Sequence, residues 1–136
     1  TLEIVREEYP DFKIHQSKTN YAVGGGQNRA LKLVSGKYIL ALCVDVILDK
    51  FFIENAVSLM EKHPDWGALQ AKIYSWDIKT GRKTRMIDTT GFEIFKSRRI
   101  INRGHGQMDK GQFQTIQEVF SFEGACPFFR RRALLE

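Results

Sequence analysis

Two groups of residues in this chain have types and spacing that could do chemistry. The first is Asp45, which closes the apolar run Tyr38 to Val44. That run reads as a buried strand, and ligands of open α/β sheets bind at the carboxyl ends of strands. A carboxylate placed there is costly unless it is paired or meets a cation. Mg²⁺ or Mn²⁺ bridging a diphosphate would stabilise it. The competing reading is a turn or helix-capping aspartate, a role that suits Asp49 better, just ahead of the helical pattern from Phe51. The second group is Gly24, Gly25 and Gly26, in the segment from Asn20 to Arg29. Glycines let a backbone approach a ligand closely, and a following helix aims its N–H groups at an anion. A flexible turn explains the glycines equally well. Neither the GKS/T loop nor the GxGxxG fingerprint of nucleotide sites occurs.

The elements that must position these groups follow from hydrophobic pattern. Leu2 to Tyr9 reads as helix turns stopped by Pro10. Phe12 to His15 alternates like a short strand, and Asn28 to Val34 resumes a helical pattern ended by Gly36. After the Tyr38–Val44 strand, Phe51 to Lys62 predicts a helix with Phe52, Ala56, Val57 and Met60 inward. Gly67 to Tyr74 is the next strand. This alternation predicts an α/β layered sheet with parallel strands. Further on, Trp76 to Phe95 reads as a hairpin turning at Lys79–Arg82, and Gly91–Phe95 and Arg98–Ile101 as short strands. Gly104 to Gln114 reads as a loop, Glu118 to Phe122 as a strand, Gly124-Ala125 as a tight turn, and Arg131 onward as a helix. By this pattern a first strand is expected before Thr1 and more chain after Glu136.

Composition bounds the alternatives. The chain has 136 residues, 43% apolar and 27% charged, enough for one compact domain or part of a larger one. The seven-residue run to Val44 is far short of the roughly 20 residues that cross a bilayer. Two cysteines, Cys43 and Cys126, form no spaced pair, and three histidines make no metal cluster. The net charge of +5 is concentrated: Lys79 to Arg103 holds eight Lys/Arg against two Asp/Glu. Such a segment attracts phosphate ligands, membranes or nucleic acid, or is a solvated hairpin. No RNA-binding aromatic motif, zinc pattern or helix-turn-helix accompanies it, so no nucleic acid is expected.

The order Asn20-x-x-x-Gly24-Gly25-Gly26-x-Asn28-Arg29, a helix, Ser35 to Leu42, then Asp45-Val46-Ile47-Leu48-Asp49 resembles glycosyltransferase family 2, most closely its rhamnosyltransferase-like branch. The resemblance continues through Ala68–Tyr74, Asp88–Phe92, Asn102–Gly106, Asp109–Gln112, Glu118–Phe120, Gly124-Ala125 and Arg130-Arg131. It implies one partial GT-A domain over residues 1–136: three α/β/α layers around a mostly parallel sheet, incomplete at both ends. It also implies inverting transfer of a sugar from a nucleotide-diphosphate donor to a hydroxyl acceptor, in cell-envelope or exopolysaccharide synthesis. By the same resemblance Asn20, Gly24, Gly25, Gly26 and Asn28 would contact the nucleotide. Asp45 would hold a divalent cation, Mg²⁺ or Mn²⁺, on the diphosphate. Gly124 and Ala125 would lie beside sugar and acceptor, with the loop from Arg103 to Gly111 covering the site. The catalytic base is expected beyond Glu136, which makes the isolated chain inactive.

Where the branch reads Asn-Pro-Asp, this chain has Cys43-Val44-Asp45. A thiol is a poor ligand for a hard cation, leaving one carboxylate and putting metal dependence in question. A relative that keeps the fold and binds without turnover is therefore the second reading. Trp76 and His105 are further substrate-binding candidates, against packing for the tryptophan and a solvated loop for the histidine. The partners expected are a nucleotide-sugar donor and a glycan or lipid-linked glycan acceptor. Peripheral membrane contact is expected through Arg98, Arg99, Arg103 and Arg130 to Arg132, with Phe128 and Phe129 either at that surface or in the core. The expected location is the cytoplasm, at the inner face of the plasma membrane.

Overall fold

A computed structural model describes residues 2–135. The chain divides after Ser35 into two compact units, each taken by itself.

The first unit holds two helices. α1 (Leu2–Glu8) stops ahead of Pro10, as its pattern predicts, and Tyr9 stacks on Phe12 with ring centroids 5.0 Å apart. The expected strand Phe12–His15 is irregular and exposed, because alternation makes a strand only where a neighbour completes its ladder. α2 (Ala22–Leu31) begins six residues earlier than the expected Asn28, so Gly24–Gly26 lie inside a helix instead of a loop. Each glycine costs a helix about 1 kcal/mol against alanine. Asn20 offsets part of this by accepting from Ala22 N at 2.9 Å, and the Arg29 guanidinium lies 3.4 Å over the Tyr21 ring. No residue in 2–35 is buried.

The second unit carries the sheet. β1 (Tyr38–Leu40), α3 (Phe52–Lys62) and β2 (Ala68–Gln70) follow the predicted strand–helix–strand order. β7 (Pro127–Arg130) then inserts between β1 and β2, antiparallel to both. β1 and β2 thus run parallel to one another without pairing. This corrects the expectation of a mostly parallel sheet: every ladder among the described residues is antiparallel. The reason is β7, whose leading proline and short length hide it from pattern reading; proline is tolerated there as the first residue of a strand. The expected three α/β/α layers reduce, within this unit, to one helix on one sheet face. Ala56 and Met60 of α3 and Phe128 of β7 are buried, with Tyr38, Leu40, Phe52, Val57, Trp66 and Leu69 packed around them. The four α3 residues read as inward are all in this cluster. Phe128 is therefore a core residue. On the other sheet face Phe129 meets Phe122 edge to face at 4.9 Å.

The expected strand Gly67–Tyr74 is two strands. It breaks at Ala71-Lys72, and β3 (Ile73–Asp77) leaves to form a hairpin with β4 (Arg82–Thr89). β5 (Phe92–Ile94) pairs with β6 (Ile100–Asn102), as the sequence predicts. Glu118–Phe122 is not a strand; Ser121 alone bridges to Phe92. A second packed region forms around Ile87 and Thr89, both fully buried. Gly104 (φ +77°) is required there, since a Cβ would fall 2.8 Å from the Phe113 ring. A short 3₁₀ turn, Arg131–Leu134, follows β7.

Candidate functional site

Three chain segments meet at the carboxyl ends of β1 and β2, where β7 begins. Beyond Leu40 the β1 ladder continues by single bonds: Ala41 N donates to Pro127 O at 3.1 Å and Cys43 N to Ala125 O at 2.9 Å. The chain then turns at Val44-Asp45, closed by Val46 N donating to Cys43 O at 3.3 Å. Asp45 therefore stands in an exposed turn two residues beyond the bond that ties Cys43 to Ala125. It is not buried, contrary to a strand covered on both faces; Val44 is fully exposed as well. Among the described residues, no protein group donates to the Asp45 carboxylate. Asp49 by contrast does what its position predicts: Oδ1 accepts from Phe51 N at 3.0 Å, leading into α3.

The Gly124-Ala125 turn is fixed by two residues that sequence reading assigns no role. Glu123 Oε2 accepts from Ala125 N at 2.8 Å, and Glu123 N donates to Gln70 Oε1 at 2.6 Å. Gln70 Nε2 donates back to Ala71 O at 2.7 Å. The signal for Glu123 is its place two residues before the amide it accepts from, the spacing by which a side chain stabilises a turn. Gln70 carries no local signal, since its partner is far along the chain. A Cβ added at Gly124 would meet nothing within 4 Å, so the turn borders open space.

The donor set at this edge does not form a cation cage by itself. Among the described residues no three His, Cys, Asp or Glu side chains are grouped to hold a metal ion. The Cys43 thiol is 3.9 Å from Gly124 O and supplies no hard donor. One free carboxylate does suit the mode in which Mg²⁺ is held mainly by phosphate oxygens and water.

The other candidates lie elsewhere. In the first unit, Asn20 accepts from Ala22 N just ahead of α2, Gly24, Gly25 and Gly26 fill its first turns, and Asn28 lies near its end instead of starting it. In the second unit Trp76 is on β3, 45% exposed and opposite Lys83. His105 lies in an exposed turn, where Nδ1 is 2.8 Å from Asp88 O and 3.5 Å from Asp88 Oδ1. A cleft of 870 Å³ runs between α3, β2 and the segment 113–122, lined by Phe52, Leu69, Gln70, Phe113 and Phe120 among others. None of Asp45, Trp76, His105, Gly124 or Ala125 lines it.

The basic residues expected to face a membrane divide. Arg130 is 6% exposed and holds the carboxyl end of α3: it donates to Met60 O (2.6 Å), His63 O (3.0 Å), Trp66 O (2.9 Å) and Tyr38 Oη (3.2 Å). A cation on the last carbonyls of a helix complements its dipole. Arg132 donates to Pro64 O at 2.6 Å, and Arg103 is spent on Gln117 and the Phe113 ring. Only Arg98 and Arg99 are exposed without such partners among the described residues. Asp109 forms a second polar cluster. It accepts from the Tyr74 hydroxyl, from Lys72 Nζ at 2.9 Å and from Gly111 N at 2.9 Å. These bonds, the Tyr74 one foremost, hold its carboxyl well below the usual carboxylate range. Burial and the bond to Asp109 push the Tyr74 phenol up.

The exposed Asp45 turn and the Gly124-Ala125 turn thus lie beyond the carboxyl ends of β1 and β2. The family model described as Glycosyl transferase family 2 matches residues 1–136, and the chain belongs to that family. Membership implies the GT-A fold, a nucleotide-sugar donor and a glycan acceptor, and divalent cations are common in the family. Searches of curated proteins and of solved structures gave no match.

Proposed function

We propose that this chain supplies the leaving-group side of a glycosyltransferase site. The reaction is inverting transfer of a hexosyl or rhamnosyl group from a nucleotide-diphosphate sugar to a glycan or lipid-linked glycan hydroxyl, in cell-envelope or exopolysaccharide synthesis. The acceptor oxygen attacks the anomeric carbon as the bond to the diphosphate oxygen breaks. The hydroxyl proton goes to a base that is not assigned to any residue of this chain. The observation that supports the reading is the Cys43 N to Ala125 O bond, which joins the segment leading into the Asp45 turn to the Gly124-Ala125 turn. Asp45 would hold a divalent cation, which supplies charge neutralisation for the leaving diphosphate. Gly124 and Ala125 present backbone and almost no side chain, leaving room for a pyranose. Asn20, Gly24, Gly25, Gly26 and Asn28 are proposed nucleotide contacts of the first unit.

The second reading is a relative that binds nucleotide sugar without turnover. The Cys43 thiol beside Asp45 favours it. Calorimetric titration of the chain with UDP-, dTDP- and GDP-sugars, with and without Mn²⁺, tests both. Saturable, Mn²⁺-strengthened binding of one nucleotide class supports the donor site. Binding indifferent to Mn²⁺ favours the second reading, and no binding of any of the three defeats both.

A further inference from the structure

The β3–β4 hairpin carries a surface that the proposed transfer does not use. From Lys72 to Arg85 and at 109–110 it holds six cations, Lys72, Lys79, Arg82, Lys83, Arg85 and Lys110, against Asp77 and Asp109. Both carboxylates are already spent. Asp77 builds the turn, accepting from Lys79 N at 2.9 Å and the Thr80 hydroxyl at 2.8 Å. Asp109 is paired with Lys72 and bonded to Tyr74 and Gly111 N. The cations outnumber the carboxylates, and three of them, Lys83, Arg85 and Lys110, line a polar hollow of 340 Å³ with Tyr74, Thr84 and Asp109 among others. Arg85 is anchored by donating to Asp109 O at 2.7 Å, which orients its guanidinium at this hollow.

Beyond the hollow, the hairpin is apolar where it is most exposed. Ile78, in the turn, is 90% exposed, and Trp76 is 45% exposed opposite Lys83. Ile78 stands in open water between Asp77 and Lys79, and its aliphatic side chain gives nothing to a nucleic acid. Nor is Tyr74 a platform for a base, because Lys83 Nζ covers its ring at 4.7 Å. Cations behind an apolar and indole tip match the layering of an anionic membrane, with phosphates outside and acyl chains within.

We propose that the β3–β4 hairpin docks on anionic phospholipid. Lys83, Arg85 and Lys110 hold headgroup phosphate in the hollow, while Ile78 and Trp76 enter the interface. This surface is distinct from the buried Arg130 and the partnered Arg103 and Arg132. It does not depend on the transferase reading.

The test is flotation of the 136-residue chain with vesicles of pure phosphatidylcholine and of phosphatidylcholine mixed with phosphatidylglycerol. Wild type should float only with the anionic vesicles, with Trp76 emission shifting to the blue; Trp76→Phe identifies that signal against Trp66. Each cation near an anionic surface is worth about fivefold in affinity, so the triple variant Lys83→Gln, Arg85→Gln, Lys110→Gln should lose roughly a hundredfold. Ile78→Ser, at an exposed tip where it cannot unfold the chain, should lose several-fold. Equal flotation of wild type and the triple variant would overturn the proposal. So would unshifted Trp76 emission in the bound state, or Ile78→Ser binding as wild type. Binding of inorganic phosphate without flotation would assign the hollow to free phosphate and overturn it too.

Discussion

The two ends of β7 put polar groups to opposite uses. At its carboxyl end the Arg130 guanidinium is buried and saturated by three carbonyls and the Tyr38 hydroxyl. Tyr38 in turn donates to Glu61 Oε1 at 2.8 Å, and Lys37 closes the chain of contacts on the same carboxylate. At the amino end Ala125 is tied to Glu123 and Cys43, while Asp45 stands exposed with no protein donor among the described residues. A closed network of this kind holds a fold together, whereas the exposed carboxylate is the group the proposed donor site uses. The comparison teaches that charge alone does not mark function: Arg130 and Asp45 both look functional in sequence, and the partners of Arg130 make it structural.

The largest expected effect breaks the closed end. Arg130→Ala leaves the Met60 carbonyl buried without this donor and takes a donor from the part-buried carbonyls of Trp66 and His63, the latter keeping Trp66 N, and should cost about 2 kcal/mol of stability. Urea denaturation checks this, and a loss under about 1 kcal/mol would mean that water replaces the guanidinium easily. A smaller effect sharpens the open end. Cys43→Asp adds a hard donor next to Asp45 and should tighten Mn²⁺ binding about tenfold, roughly 1.4 kcal/mol. Unaltered Mn²⁺ affinity in that variant would separate position 43 from the site. The smallest effect at neutral pH belongs to Asp109. Its depressed folded-state pKa contributes stability that is complete above the ordinary carboxylate value, about 3.9, and is lost as pH falls through the folded value. Wild type should therefore lose stability more steeply below pH ~4 than Asp109→Asn, with parallel curves near neutrality. Identical acid limbs would show that Tyr74 and Lys72 do not act on Asp109 in solution.

Much of the second unit is legible in the sequence because its signals are local. The inward face of α3, the turn before Arg82 and the β5–β6 pair all follow from periodicity and turn residues within a few positions. β7 is not legible, because Pro127-Phe128-Phe129-Arg130 shows no alternation and acquires its place from two strands nearly 60 and 90 residues earlier. Without β7 the remaining strands read as a parallel sheet. The helix over Gly24–Gly26 is not legible for a different reason: glycine opposes helix, and the Asn20 bond to Ala22 N and the Arg29–Tyr21 stack lie outside any propensity scale. At the candidate site Asp45 and the Gly124-Ala125 turn are legible as types, and the ladder bond that joins them is not. Gln70 and Glu123 act only through partners brought together by folding.

The central claim is that Asp45 binds the donor's diphosphate through a divalent cation. Its most direct test is titration of the preferred nucleotide sugar, with Mn²⁺ present, into wild type and Asp45→Asn at matched thermal stability. The account predicts that the substitution weakens binding at least tenfold, about 1.4 kcal/mol, and abolishes the dependence on Mn²⁺. Equal affinity with the Mn²⁺ dependence intact would contradict it.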